Sequence, residues 1–180
     1  MFYTDSDISD DPAIYLNFKN DERAISYEMR FSTAVKSDVD SDNMLEDLEN
    51  EVVQILNNKF TITKAEYLGK TGSKADLKLT LMAGAVQDTL EVNQEKTYVL
   101  NNKNYAVKVI VVSGDTSKDA VTKLIVNGET TKALGRGDTY ELSDGTQIGI
   151  KEVLPTESGD AIQNLVEFYV GANKLVLEDG

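Results

Sequence analysis

The residues with the clearest potential for chemistry are six oxygen donors in an acidic stretch, residues 37–51. Counted from Asp38 as position one, Asp40 stands at position three, Asp42 at position five and Glu49 at position twelve. Oxygen ligands at alternating positions, closed by a glutamate at the twelfth, are the pattern of a calcium-binding EF-hand loop. The candidate ligands for Ca²⁺, including the Met44 carbonyl, are Asp38, Asp40, Asp42, Met44, Glu46 and Glu49.

The same stretch departs from that pattern in two ways. Asn43 stands where an EF-hand loop has glycine, although asparagine also tolerates the left-handed backbone region. No convincing helix leads into the loop at residues 33–36. Two interpretations therefore remain open, a weak calcium site of the extracellular type or a solvated acidic loop without a bound ion.

Composition narrows the class of function. The chain has 18 Lys and Arg against 31 Asp and Glu, a net charge of −13, and contains neither His nor Cys. Such a surface repels nucleic acid phosphates and anionic lipid. Without His or Cys, the usual general base, zinc ligand and thiol nucleophile are missing, so we expect no enzymatic activity. No apolar run reaches the ~20 residues of a membrane span, so we expect no membrane insertion by this segment.

An internal repeat organises the chain. The segment from Leu79 to Glu91 returns as the segment from Val166 to Glu178, an offset of 87 residues, with Gly-Ala at the same point in both copies. Each copy resembles two short strands separated by glycine. We therefore predict tight turns with positive φ at Gly84 and Gly171.

Apolar residues alternate with polar ones from Ile14 to Phe18 and from Ile25 to Phe31, which predicts a strand in each segment. The same alternation elsewhere and frequent turn signals predict an all-β fold. Turn signals include Asn-Asn at 57–58 and 101–102, Asn127-Gly128 and Asp144-Gly145. The apolar spacing of Leu45, Leu48 and Val52 predicts one short helix, with Asp42 or Asn43 as its N-cap. We expect a flexible acidic lead-in (1–12) and two tandem, sequence-related small β-sandwich or open-barrel domains (13–93, with the acidic insertion 37–51, and 94–180).

Several segments together resemble archaeal S-layer proteins, the subunits of cell-surface lattices. The resemblance covers most of the chain from Ala13 onward and rests on the order of its hairpin segments rather than on one diagnostic motif. Those segments are Leu79–Val86, Lys96–Tyr98, Val126–Glu129, Gly137–Tyr140, Leu142–Thr146 and Glu167–Lys174. The chain differs from a complete subunit in having no signal peptide, membrane anchor or Asn-x-Ser/Thr sequon, so we expect a segment of a longer protein.

The resemblance implies a β-rich, acidic, extracellular structural protein of the cell envelope. Its partners would be neighbouring copies of itself in a surface lattice. An alternative function is an extracellular binding module, or adhesin, that recognises a carbohydrate or a protein partner through its loops.

Overall fold

The computed structural model describes residues 2–4, 14–16, 28, 30, 35–72, 74–156 and 164–179. The chain forms two compact units, Met1–Ala34 and Val35–Gly180. In the first unit, β1 (Phe2–Thr4) pairs antiparallel with β2 (Ile14–Leu16). The predicted strand at Ile14 is therefore confirmed, and a strand also forms within the predicted lead-in. Of the predicted strand from Ile25 to Phe31, only Glu28 and Arg30 are described.

The second unit consists of two antiparallel sheets. One has the strand order β11-β12-β13-β5-β4-β3, and the other the order β10-β8-β7-β6 with β9 beside β8. The strands of the six-stranded sheet are β3 (Val52–Ile55), β4 (Asn58–Thr71), β5 (Lys74–Glu91), β11 (Thr139–Glu141), β12 (Gln147–Leu154) and β13 (Leu165–Glu178). Those of the five-stranded sheet are β6 (Glu95–Leu100), β7 (Lys103–Ser113), β8 (Val121–Val126), β9 (Glu129–Thr130) and β10 (Leu134–Gly135).

The predicted short helix is a single 3₁₀ turn, Glu46–Leu48, preceded by Leu45 without a side-chain cap hydrogen bond. It is the only helical element in the described ranges, and Asp42 and Asn43 do not cap it. In those ranges no helix is long and apolar enough to cross a membrane.

Asparagine-rich turns join several neighbouring strands. Positive φ values occur at both Asn101 and Asn102, between β6 and β7, and at Asn127 and Gly128, between β8 and β9. Two successive residues with positive φ give the turn twist that suits a tight hairpin. The turns predicted at these two places are confirmed. Between β3 and β4 the positive φ values fall one residue earlier than predicted, at Leu56 and Asn57.

The hydrophobic core lies between the two sheets. Val107, Val109 and Leu124 of the five-stranded sheet and Ile150 and Phe168 of the six-stranded sheet belong to one cluster of fully buried side chains. The Tyr98 ring meets the Phe168 ring edge to face, with 5.9 Å between the ring centres. The alternation of buried and exposed residues along β7 and β8 follows the period of two that a half-buried strand requires. The all-β, sandwich-like fold predicted from the sequence is confirmed.

The internal repeat appears as local two-fold symmetry within the six-stranded sheet. Three strands, β3-β4-β5, and three more, β11-β12-β13, enter the sheet in mirrored order. Both middle strands carry a register shift, between Ile62 and Lys64 in β4 and between Ile150 and Glu152 in β12. β5 and β13 pair antiparallel, with Gly84 opposite Ala172, so the two Gly-Ala copies meet at the centre of the sheet.

The prediction that the repeated Gly-Ala segments form hairpin turns is wrong. Each copy lies inside one long continuous strand, and the two strands pair with each other. Gly171 does have the predicted positive φ, +69°, but Gly84 does not. Gly84 is required for a different reason, because a Cβ atom there would lie 2.6 Å from the Cβ of Tyr169.

Two separate tandem domains are not confirmed. Residues 52–91 and residues 139–178 contribute three strands each to one sheet, while the whole five-stranded sheet comes from residues 95–135. The predicted boundary between residues 93 and 94 lies in a segment that is fixed by backbone hydrogen bonds. The Val92 N–H donates to the Asn164 carbonyl, and the Asn93 N–H donates to the Val109 carbonyl. The repeat therefore builds a shared sheet.

The close approach at Gly84 gives a test of the central strand pair. We expect Gly84→Ala to lower the free energy of unfolding by about 1–3 kcal/mol, because the added methyl group forces β5 and Tyr169 apart. Gly135→Ala is a matched control, since this strand glycine also has ordinary φ and its added Cβ would meet no atom closer than 3.6 Å. Urea denaturation measures both variants, and equal stability of the two would contradict the packing argument.

Candidate functional site

The acidic stretch 37–51 runs along β4 and is fixed to it by backbone hydrogen bonds. The Leu45 N–H donates to the Ala65 carbonyl at 2.9 Å, and the Tyr67 N–H donates to the Asn43 carbonyl at 2.8 Å. The Met44 and Leu45 side chains are buried. Since its backbone and two of its side chains are fixed, this stretch is an ordered part of the sandwich.

Asp40 organises the turn at the centre of this stretch. Its Oδ1 atom accepts hydrogen bonds from the N–H groups of Asp42, at 2.9 Å, and Met44, at 2.7 Å. The Met44 carbonyl, a predicted calcium ligand, accepts the Asp40 N–H at 3.0 Å. Asn43 has φ of 61°, so it occupies the left-handed conformation for which glycine was expected. The Asp40 carboxylate is therefore already engaged in holding the turn closed.

A lysine ammonium lies among three of the predicted ligands. Lys118, from the connection between β7 and β8, places Nζ 2.6 Å from Asp40 Oδ2, 2.6 Å from Glu46 Oε1 and 3.8 Å from Asp42 Oδ2. Hydrogen bonds to Asp40 and Glu46 raise the pKa of Lys118, and the hydrogen bond from Lys118 lowers the pKa of Asp40. The ammonium supplies the positive charge that the sequence pattern assigned to Ca²⁺.

Glu49, expected to close the calcium shell, pairs with a different cation. Arg136 Nη1 donates to Glu49 Oε2, and the side chains of Arg136 and Glu49 are only 10% and 7% exposed. Glu49 Oε1 is buried and has no hydrogen-bond partner among the described residues. Burial raises the pKa of Glu49, and the charge of Arg136 opposes that rise.

The structure therefore brings together three of the six predicted ligands, Asp40, Asp42 and Glu46. Asp38 donates its N–H to Asp47 Oδ2 at 3.3 Å. Within the described ranges, no group of three or more acidic, His or Cys residues has the arrangement of a metal site. Calcium binding stays a prediction, and a bound ion would have to displace or rearrange Lys118.

Lys118 and Arg136 are the functional residues that sequence reasoning missed. Lys118 lies 78 residues from Asp40, and Arg136 lies 87 residues from Glu49. The Gly135-Arg136-Gly137 segment is visible in the sequence only as a turn. Neither pairing has a local signal, because strand topology alone brings these cations to the acidic stretch.

Three tyrosines form a second set of polar contacts, at carboxylates on the edge of the core. The Tyr98 hydroxyl donates to Asp88 Oδ2 at 3.0 Å, and Lys96 Nζ lies 2.5 Å from the same oxygen. The hydrogen bond from Lys96 is the main cause of the lowered pKa of Asp88. Two similar hydrogen bonds join Tyr105 to Asp144 at 2.8 Å and Tyr140 to Glu129 at 3.1 Å.

These tyrosine contacts have a structural role. Tyr98 and Tyr105 bury their rings in the core and direct their hydroxyls to acceptors, as buried tyrosines generally require. Asp88 belongs to one sheet and Tyr98 to the other, so their hydrogen bond ties the two sheets together. Asp144 has a lowered pKa, chiefly because it accepts the Thr146 N–H.

The buried ion pair predicts a large effect of one substitution. We expect Arg136→Met to lower the free energy of unfolding by about 3 kcal/mol, because it leaves the Glu49 carboxylate buried without its counter-charge. Thermal and urea denaturation at neutral pH measure the loss.

The double variant Arg136→Met with Glu49→Gln is the matched control. It removes both charges, so it should recover much of the lost stability. Because removal of Arg136 raises the pKa of Glu49 further, the single variant should gain stability as the pH falls toward the raised pKa, where the buried carboxyl becomes neutral. Wild-type stability of Arg136→Met would contradict this assignment.

The position of Lys118 predicts which variant binds calcium better. In Lys118→Met, Asp40, Asp42 and Glu46 lose their shared ammonium, so millimolar Ca²⁺ should raise the melting temperature more than it does in the wild type. Lys123→Met, at an exposed lysine on β8, controls for the loss of one positive charge. Equal calcium responses of Lys118→Met and the Lys123 control would contradict the prediction.

Comparison with known protein families, with curated proteins and with solved structures found no match. What the chain can do is therefore judged from its own side chains. Those at the candidate site form ion pairs and hydrogen bonds that hold a loop to a β-sandwich.

Proposed function

We propose that this chain is a non-catalytic structural β-module of the cell envelope, a segment of an archaeal S-layer type of surface lattice. Its partners are neighbouring copies of the same chain, outside the cell. The observation that carries the proposal is the use of the acidic groups at the candidate site. Asp40 and Glu46 share Lys118, and Glu49 pairs with Arg136, so these carboxylates serve internal ion pairs.

The sheet topology supports a load-bearing role. β13 lies between β12 and β5 and stays in register with β5 from Leu165 opposite Glu91 to Glu178 opposite Lys78. A force applied along β13 would shear this ladder, so many inter-strand hydrogen bonds would resist together. That arrangement suits a module that transmits tension between copies in a lattice.

The acidic surface also fits an envelope protein. A net charge of −13 gives mutual repulsion between molecules, which dissolved salt or divalent cations screen. The internal pairs of Lys118 and Arg136 lie close enough to resist such screening better than distant surface charges do. The sandwich can therefore remain folded in a salt-rich medium while its surface charges are neutralised from outside.

One observation favours the alternative, an extracellular binding module. An open hollow of about 840 Å³ borders the acidic stretch in the second unit. Val39, Leu45, Leu48 and Tyr67 contribute to its wall, and its charged lining residues are Lys36, Asp38, Asp47 and Lys70. A carbohydrate or a protein segment would find one aromatic ring and several polar groups there.

Assembly of the purified chain tests the structural function. We expect concentration-dependent association in sedimentation velocity, and ordered arrays in negative-stain electron microscopy, in salt-rich buffer with millimolar Ca²⁺. Addition of a chelator reports whether calcium contributes. A chain that stays monomeric under all these conditions, or one that turns over a substrate, would contradict the proposal, and saturable glycan binding by a monomer would favour the alternative.

A further inference from the structure

One edge of the six-stranded sheet is left open along β13. β12 pairs with β13 only as far as Ile148 opposite Val170, whereas β5 continues on the other side to Glu178. In the part of the chain that the structure describes, no strand pairs with the β12 side of residues 172–178. This free edge, residues 172–178 of β13, is as long as an ordinary strand.

The backbone geometry shows which residues face the free edge. The Asp179 N–H donates to the Leu77 carbonyl of β5 at 2.9 Å. In an antiparallel ladder, alternate residues direct their N–H and C=O groups to opposite sides. Lys174, Val176 and Glu178 therefore present theirs to the free edge.

The side chains along this edge leave it accessible. Lys174, Val176, Leu177 and Glu178 are exposed, and 42% of the Val176 surface is accessible to solvent. An open hollow of about 310 Å³ borders residues 172–174, next to Gln147, the first residue of β12. An unpaired strand edge can accept another strand, and the charged Lys174 and Glu178 restrict which partner strand fits there.

The symmetry-related edge is treated differently. The local two-fold relation places residues 85–91 of β5 in the equivalent position, beyond the last registered partner in β4. There Asp88 holds Lys96 Nζ and the Tyr98 hydroxyl of β6. Side-chain contacts with the other sheet therefore lie along one of the two equivalent edges. Among the described residues, no such contact with the other sheet is found along the free edge of β13.

We propose that the free edge of β13 pairs with the same edge of a second copy of this chain, antiparallel and about a two-fold axis at Val176. The pairing would join two six-stranded sheets into one continuous sheet. The inference rests on the structural function proposed above and identifies one contact between copies. Self-pairing of an identical edge is the isologous contact from which two-fold symmetric assemblies are built.

Charge selects this register. With the axis at Val176, Lys174 of one copy lies opposite Glu178 of the other, twice in each dimer, and Leu175 lies opposite Leu177. An axis at Lys174 would set two lysines against each other, and an axis at Glu178 would set two glutamates together. Opposite charges directly across a ladder are favourable and like charges are unfavourable, so of these three registers the one about Val176 is preferred. Glu178 also pairs with Lys78 of β5 in its own copy, at 3.1 Å, so in the dimer its carboxylate would be shared between Lys78 and Lys174 of the second copy.

Val176→Pro tests the contact directly. Proline removes the central outward N–H of both copies, while the hydrogen bonds of β13 to β5 use the neighbouring residues, so the sandwich should keep its fold. Sedimentation from about 10 µM to about 1 mM covers the range of a weak contact of this size. We expect concentration-dependent dimers of the wild type and of Val176→Thr, and at least tenfold weaker association of Val176→Pro.

A charge-reversal series tests the register even if the proline variant fails to fold. Lys174→Glu places glutamate opposite Glu178 and should weaken the dimer at least about tenfold. Glu178→Lys restores opposite charges across the contact but sets a lysine beside Lys78 of the same copy, so Lys78→Glu is added to restore that pair. The triple variant Lys78→Glu, Lys174→Glu, Glu178→Lys should recover most of the affinity. Lys123→Glu, at the exposed lysine of β8, should associate like the wild type. Failure of the triple variant to recover would overturn the register.

The outcomes separate this contact from the lattice function. A wild type that stays monomeric to about 1 mM, or dimers that fold and associate equally well with Val176→Pro, would overturn the edge pairing. Ordered arrays formed equally by Val176→Pro would leave the lattice function standing and overturn the edge contact. Dimers sensitive to Val176→Pro, without arrays under any condition, would support the edge contact and overturn the lattice function.

Discussion

The antiparallel pairing of β5 with β13 is the constraint on which the rest of the second unit depends. Both strands come from the repeated sequence, and Gly84 lies opposite Ala172 where the two copies meet. Tyr169 packs against the backbone of Gly84, so the strands can approach only because no side chain intervenes. The two three-stranded groups are held in one sheet by this ladder, and Phe168 and Val170 of β13 extend the buried core toward the second sheet.

Charge is the second organising influence, and it acts locally. The net charge of −13 is unfavourable for a compact chain, because like charges repel. The fold offsets this where acidic groups are densest, by bringing Lys118 and Arg136 to the acidic stretch. Both cations come from connections between later strands. Closing the sandwich and docking the acidic stretch are therefore coupled.

Much of the fold could be predicted from the sequence, because strand alternation and asparagine turns are local signals. The turn at Asn127-Gly128 follows from residue type, whereas of the two glycines that were predicted alike only Gly171 has positive φ. The continuity of β5 through Gly84 could not be predicted, since glycine also serves where backbones approach closely. At the candidate site, the Asp40 turn had a local signal, whereas its pairing with Lys118 depends on topology and had none.

The shared sheet also explains why a duplicated strand unit need not give two domains. A three-stranded group has two edges, and an open edge favours pairing with another strand. Antiparallel pairing of the two copies covers one edge of each group. Because β4 and β12 each end before the strand beside them, residues 85–91 of β5 and residues 172–178 of β13 have no strand on their outer side in the described sheet. At the unpaired part of β5, the Asp88 side chain contacts Lys96 and Tyr98 of the other sheet. The free edge of β13, where Val176 is exposed, is therefore where strand pairing can extend from one molecule to the next.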